Sequence, residues 1–239
     1  MTRGRLYLVP NLLGVVAPDA VLPARTISIA RSLAYYVVEN AKPARAFLKT
    51  LAPDVPLREI QMAELGESPP ASRCAELLAP TRSGADIGVL SDAGCPGVAD
   101  PGASLVAQAH REAISVVPLV GPSAVLLALM ASGMNGQAFA FHGYLPVATD
   151  ERVQAIRKIE ADSHRGAYAQ IFIETPYRNV TLLEALVATC KPATRLCVAV
   201  DLTTESESIA SRTVREWRGA DFAGYAKRPA IFVLQAEKK

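Results

Sequence analysis

The sequence predicts an α/β protein of two lobes, the first built on a mostly parallel sheet and the second on a mixed one. Three observations lead there. Short β-rich runs alternate with amphipathic stretches, which is how strand–helix units covering a parallel sheet read. The chain has 239 residues, half of them hydrophobic and 20% charged, enough apolar surface to offset the entropy of ordering. Beyond Phe139 the pattern coarsens and antiparallel strands enter, so the lobes are expected at 1–136 and 137–239.

In the first lobe, Leu6–Val9, Tyr36–Val38, Leu57–Gln61, Ile87–Leu90 and Ser115–Pro118 read as strands. Pro43–Leu51, Pro70–Leu78, Pro101–Arg111 and Pro122–Ala131 read as helices, because proline suits a first turn where its missing N–H has no partner to lose. In the second lobe, Ala138–His142 reads as a strand and Gly143–Pro146 as a turn out of it. A charged helix over Asp150–Asp162, a strand Gln170–Ile173, a helix Asn179–Thr189 and a strand Arg195–Val200 follow. Ser206–Trp217 alternates well enough for an antiparallel strand pair, and Ala230–Leu234 is a last β run.

Charge excludes little. There are 25 Lys+Arg against 23 Asp+Glu, with no polybasic tail, so nucleic acid is neither advertised nor forbidden. Cys74, Cys95, Cys190 and Cys197 show no CxxC or Cys/His spacing, so no metal site is expected. From Ala113 to Thr149 there is no Asp, Glu, Lys or Arg. That stretch is broken by Pro118, Gly121, Pro122, Gly133 and Gly136, whereas a membrane span needs roughly 20 unbroken apolar residues. It reads as buried core of a soluble, cytoplasmic protein. The start of the chain shows no secretory signal pattern.

Chemistry concentrates at strand ends. After Ile87–Leu90 comes Ser91-Asp92-Ala93-Gly94-Cys95-Pro96-Gly97-Val98-Ala99-Asp100-Pro101-Gly102, whose glycines and prolines specify a turn that a ligand can approach closely. It lies where open α/β sheets bind ligands, and Asp92 can accept from an amine or hydroxyl. Asp100 is expected to cap the next helix, with Pro101 in its first turn. Val120–Ala124 follows another strand; there Ser123 either faces the same crevice or caps the helix. Glu174-Thr175-Pro176-Tyr177-Arg178 follows Gln170–Ile173 and reads either as the polar rim of a cleft or as an ordinary connection. Glu39 and Lys42, after Tyr36–Val38, are a functional pair or a surface ion pair. No dinucleotide fingerprint, phosphate loop or nucleophile elbow is present, and His110, His142 and His164 lack partners at ligand spacing.

These segments, taken with Leu6-Tyr7-Leu8-Val9-Pro10, Pro118–Ala124, Ser132-Gly133 and Phe141–Pro146, resemble the tetrapyrrole-methylase superfamily, the class III S-adenosylmethionine-dependent methyltransferases. Within it, they are similar to the branch of ribosomal RNA ribose 2′-O-methyltransferases. The resemblance implies two α/β lobes with S-adenosylmethionine in a cleft between them, and a homodimer. It places cofactor contacts on Pro10, Ser91, Asp92, Ala93, Gly94, Cys95, Ser123 and Ala124, and in the second lobe on Glu174, Thr175, Pro229 and Ala230. Departures lie on the acceptor side. Asn11-Leu12-Leu13-Gly14 stands where that branch has Pro-Ile-Gly-Asn, Glu39-Asn40-Ala41-Lys42 where it has Glu-Asp-Thr-Arg, and Tyr177 where it has His. With the last β run close to the chain's end, the expectation is a shorter side branch.

The implied reaction is methyl transfer, with Glu39, Lys42, Glu174 and Tyr177 as catalytic candidates and Arg178, Lys42 and Arg45 as phosphate contacts if the acceptor is RNA. Alongside the rRNA ribose stand two alternatives: methylation of a small molecule such as a tetrapyrrole, and a non-catalytic S-adenosylmethionine-binding protein.

Overall fold

A computed structural model describes residues 3–237. The elements run β1 (Leu6–Val9), α1 (Pro18–Val21), α2 (Ala24–Ser32), β2 (Tyr35–Val38), α3 (Ala41–Leu51), β3 (Gln61–Glu64), α4 (Ala71–Leu77), α5 (Ala79–Arg82), β4 (Ile87–Leu90), α6 (Ala103–Arg111) and β5 (Val116–Pro118). Next are α7 (Ala124–Ser132), β6 (Phe139–Tyr144), α8 (Thr149–Gly166), β7 (Ala169–Glu174), α9 (Asn179–Thr189), β8 (Arg195–Val200), β9 (Ser208–Thr213), α10 (Val214–Trp217) and β10 (Ala230–Gln235). The chain divides into two compact units, 1–123 and 124–239.

The first unit carries a five-stranded sheet of order β3-β2-β4-β1-β5, every neighbouring pair parallel. Its strands are short, and side chains alternate between two buried layers. Tyr7, Val9, Tyr36, Val38 and Leu90 pack with Leu22, Phe47 and Leu48 on one face. Leu6, Val37, Ile87 and Val89 pack with Leu77 and Leu105 on the other. Burial on both faces explains why these strands read as unbroken apolar runs. β4 can pass through the middle because Gly88 leaves room: a Cβ there would lie 2.5 Å from the Tyr36 ring.

The second unit holds a five-stranded sheet of order β6-β7-β10-β8-β9. β6 and β7 are parallel; β10 is antiparallel to both β7 and β8, and β9 to β8. One face is closed by α8 and α9 over a core that includes Phe172 and Phe232, whose rings stack 5.7 Å apart. Because β10 runs against its neighbours, the ends of β7 and β8 and the start of β10 share one edge. Ala230 is level with both Glu174 and Val200.

Several expectations are corrected. The boundary falls at 123/124 rather than 136/137, because α7 packs on β8, β9 and β10. The strand expected at Leu57–Gln61 lies at Gln61–Glu64; a turn closed by Glu59 N–H to Pro56 O occupies the preceding residues. Of the strand pair expected over Ser206–Trp217, only β9 forms. Thr213 and Glu216 make a reciprocal capping box that starts α10 instead, and it swings Trp217 into the core, where Nε1 donates to Leu196 O at 2.9 Å. Asp100 does not cap α6. That helix starts at Ala103 behind Gly102, whose φ of 144° suits glycine, so Pro101 also lies outside it.

Candidate active site

The connection leaving β2 runs toward β3 and the one leaving β4 runs toward β5, so these adjacent strands part company at their carboxyl ends. Such a divergence opens a crevice above an α/β sheet. Into it come the loops that follow β1, β2 and β4.

Asn11 ties two of them together. Its side chain is buried, and Nδ2 donates to Ser91 O and Asp92 O, both at 2.9 Å. Its backbone N–H donates to Gly94 O at 2.8 Å. The loop after β2 supplies the other side: the Asp92 N–H donates to Glu39 Oε2 at 3.0 Å, and Asn40 Nδ2 donates to Asp92 Oδ2 at 2.7 Å. Ser91–Gly94 is therefore held from both flanks, with Asp92 and Ala93 still exposed. Gly94 has φ +65°, and a Cβ there would sit 3.3 Å from Leu13 Cδ2.

A third strand end joins them. Cys95 Sγ lies 3.5 Å from Pro122 O, and a Cβ on Gly121 would lie 2.4 Å from Pro10 Cβ, so Gly121 is what lets Pro10 approach. Burial, and then the charge of Asp100, push the Cys95 thiol up. Of the residues predicted from sequence, Pro10, Glu39, Ser91–Cys95 and Ser123 thus come from the strand-end loops of one unit. Lys42 is exposed on the first turn of α3, with Arg45 exposed one turn on.

The second unit places Glu174, Thr175 and Ala230 together at one sheet edge, with Pro229 accepting from the Asp201 N–H at 3.0 Å. The Glu174 side chain is 2% exposed. Its Oε1 accepts from Thr175 N–H at 2.7 Å and from Arg178 Nε and its terminal nitrogen at 2.9 and 2.6 Å. Arg178 is thereby committed to Glu174, while Tyr177 is exposed. Ala124 opens α7 and belongs to this second unit.

Sequence reasoning missed Asn11 and Asn40 as site residues. The available signal was position: each is a short polar residue two positions beyond the end of a parallel strand. It also misread Asp100, whose carboxyl is raised to about 6 by burial and by the charges of Glu39 and Asp92. Among the described residues no group of three or more His, Cys, Asp or Glu is placed to hold a metal ion. No helix there is long and apolar enough to cross a membrane.

An organic ligand with a charged amino-acid end fits these residues. Ser91 Oγ is buried without a hydrogen-bond partner, and Gly94 keeps its turn free of a side chain beside the exposed Asp92. Among solved structures, the chain is similar to the methyltransferase CobJ, with TM-score 0.63 and 20% identity over 98% of this chain and 94% of that one. It is also similar to uroporphyrin-III C-methyltransferase from Thermus thermophilus complexed with S-adenosylhomocysteine, with TM-score 0.56 and 17% identity over 97% of each chain. The fold is thus that of the tetrapyrrole methylases. No family model matches the chain. Curated relatives are nearer in sequence. Ribosomal RNA small subunit methyltransferase I of Mesorhizobium japonicum is 31% identical over 88% of this chain and 67% of its own length. The protein of that name from Neisseria meningitidis serogroup B is 31% identical over 89% and 69%. The chain belongs to the ribosomal RNA small subunit methyltransferase I family.

Proposed function

We propose that this chain transfers a methyl group from S-adenosylmethionine to a ribose 2′-hydroxyl of small-subunit ribosomal RNA, in the cytoplasm and as a homodimer. The observation that carries the reading is the Ser91–Gly94 turn, clamped by Asn11 and Glu39 over the crevice of a parallel sheet, in a chain of this family. Bound there, the cofactor supplies a methyl group already activated by its sulfonium, so the protein's task is mainly alignment. Ser91, Asp92, Ala93, Gly94 and Cys95, with Pro10 and Ser123, hold it from the first unit. In the second unit, taken by itself, Ala124, Glu174, Thr175, Pro229 and Ala230 are the residues that the family resemblance marks for the cofactor. Glu174 serves by fixing Arg178 and the Thr175 backbone.

On the acceptor side, Lys42 and Arg45 are exposed cations suited to phosphate, and Tyr177 presents an exposed phenol for stacking or hydrogen bonding. Glu39 shapes the loop that leads to Lys42 by holding the Asp92 N–H. The homodimer is supported by exposed Leu126 and Met130 on α7 and by Phe139 and Tyr144 on the edge strand β6. A monomeric mass by light scattering would refute it.

The test uses tritium-labelled S-adenosylmethionine with small ribosomal subunits from a strain deleted for this gene. Label is expected in RNA and, after digestion, in a 2′-O-methylated nucleoside. RNA affinity should fall steeply with salt, because the cations that neutralise phosphates displace condensed counterions on binding. Label on a base, or none in RNA, contradicts the reading.

A further inference from the structure

We infer that the second unit carries a basic groove that grips the sugar–phosphate backbone of the RNA, at the end of its sheet away from Glu174 and Ala230; this rests on the reading above that small-subunit RNA is the acceptor.

The groove forms where β10 and β9 end and β8 begins. Gln235, Thr213 and Arg195 are level there across the ladder, whereas Ala230 and Glu174 are level at the other end. β10 is six residues long, so at about 3.3 Å per residue the two ends lie some 17 Å apart. Two open cavities of about 390 and 600 Å³ share Ala193, Ala236 and Glu237 in their walls. Arg157 and Lys191 line the first, Arg195 and Arg215 the second.

Charge is segregated along this part of the chain. Residues 191–195 and 211–218 carry Lys191, Arg195, Arg212, Arg215 and Arg218 against Glu216 alone. The loop from β8 to β9, at the opposite end, carries Asp201, Glu205 and Glu207 and no Lys or Arg. Two further carboxylates line the groove. Glu237 is exposed, but Glu160 is 7% exposed and turned to the frame, its Oε1 accepting from the Lys191 N–H at 2.7 Å and from the Thr194 hydroxyl. Among the described residues, Arg157, Lys191 and Arg215 are exposed and form no ion pair.

The frame behind these cations is firm. Pro192 O accepts from the Arg215 N–H at 3.0 Å and Thr194 O from the Val214 N–H at 2.8 Å, which docks α10 on the 191–194 turn. Arg195 donates to Gly133 O at 2.8 Å and Ser132 O at 3.2 Å, so its charge is fixed beside the groove by carbonyls. A small anion would be gripped by convergent side chains. Here the cations spread over α8, the turn, β8 and α10, an arrangement that suits successive phosphates of one strand.

The test neutralises Arg157, Lys191 and Arg215 together, as Arg157→Gln, Lys191→Gln and Arg215→Gln. A control makes the same charge change at exposed cations of the first unit, with Arg25→Gln, Lys49→Gln and Arg58→Gln. The groove variant is expected to raise KM for small ribosomal subunits roughly tenfold and to weaken binding of protein-free small-subunit RNA as much. Its slope of log affinity against log salt should shrink by about 2. Its kcat and its affinity for S-adenosylhomocysteine should stay within about twofold of wild type. KM and salt slope changed no more than in the control would overturn the inference, while methylation by the wild type would leave the function standing. A higher KM with unaltered affinity for protein-free RNA would also overturn it, making an acidic ribosomal protein the partner. So would a fall in kcat or in S-adenosylhomocysteine binding, which would give these cations a structural task. A wild-type chain that methylates no RNA would remove both the groove's role and the function on which it rests.

Discussion

Replacing Gly94 by valine weakens S-adenosylhomocysteine binding by roughly tenfold to a hundredfold while the first unit stays folded. Two local effects act on the turn. At φ +65° a β-branched residue is strained, at a cost of about 1–3 kcal/mol. The loop can escape only by moving, and its carbonyl is the one that holds the Asn11 N–H. The added side chain also meets Leu13, whose Cδ2 would be 3.3 Å from the new Cβ before any further atoms are counted. Both effects displace Ser91–Gly94 relative to Asn11 and Glu39. Few core contacts depend on this turn, so the denaturation midpoint should move far less than the binding constant. Calorimetric titration of the variant against wild type reads the effect, and an unchanged dissociation constant would make the turn a mere connector.

The second large effect is on stability. Arg178→Ala should cost about 3 kcal/mol, because it leaves the carboxylate of Glu174, 2% exposed, without the cation that enters it through two nitrogens. Glu174→Gln should cost less, since Arg178 is 33% exposed and can turn to water. The double variant should recover much of the loss of Arg178→Ala, as no buried charge then remains unpaired. Chemical denaturation of the three variants measures this cycle. A single Arg178→Ala variant as stable as wild type would show that the pair contributes only at the surface.

Legibility in the sequence followed burial. Strands buried on both faces, such as Leu6–Val9, Ile87–Leu90 and Arg195–Val200, were read within a residue, because only a packed sheet makes such short apolar runs useful. β3 was misplaced: its residues are half-buried or exposed at a sheet edge, where hydrophobicity carries little information. Helix starts were drawn at prolines that in fact precede the helix, at Pro70, Pro101 and Pro122. α2 escaped notice because its apolar residues are sparse and its two arginines and three hydroxyls mimic a loop.

The candidate site was legible as loops and not as a network. Glycines and prolines advertise a turn locally, so Ser91–Gly102 stood out. Which side chains hold that turn depends on hydrogen bonds across some 50 to 80 residues of sequence, from Glu39 to Asp92 and from Asn11 to Ser91. No window along the chain contains that information. For the same reason Asp100 looked like a helix cap, although the start of α6 lies behind Gly102.

The central claim is that the turn after β4 holds S-adenosylmethionine. The most direct measurement is calorimetric titration of the purified, ligand-stripped protein with S-adenosylhomocysteine. Saturable binding at micromolar strength or better is expected, with one site per chain. Absence of binding in a sample that circular dichroism shows to be folded would contradict it.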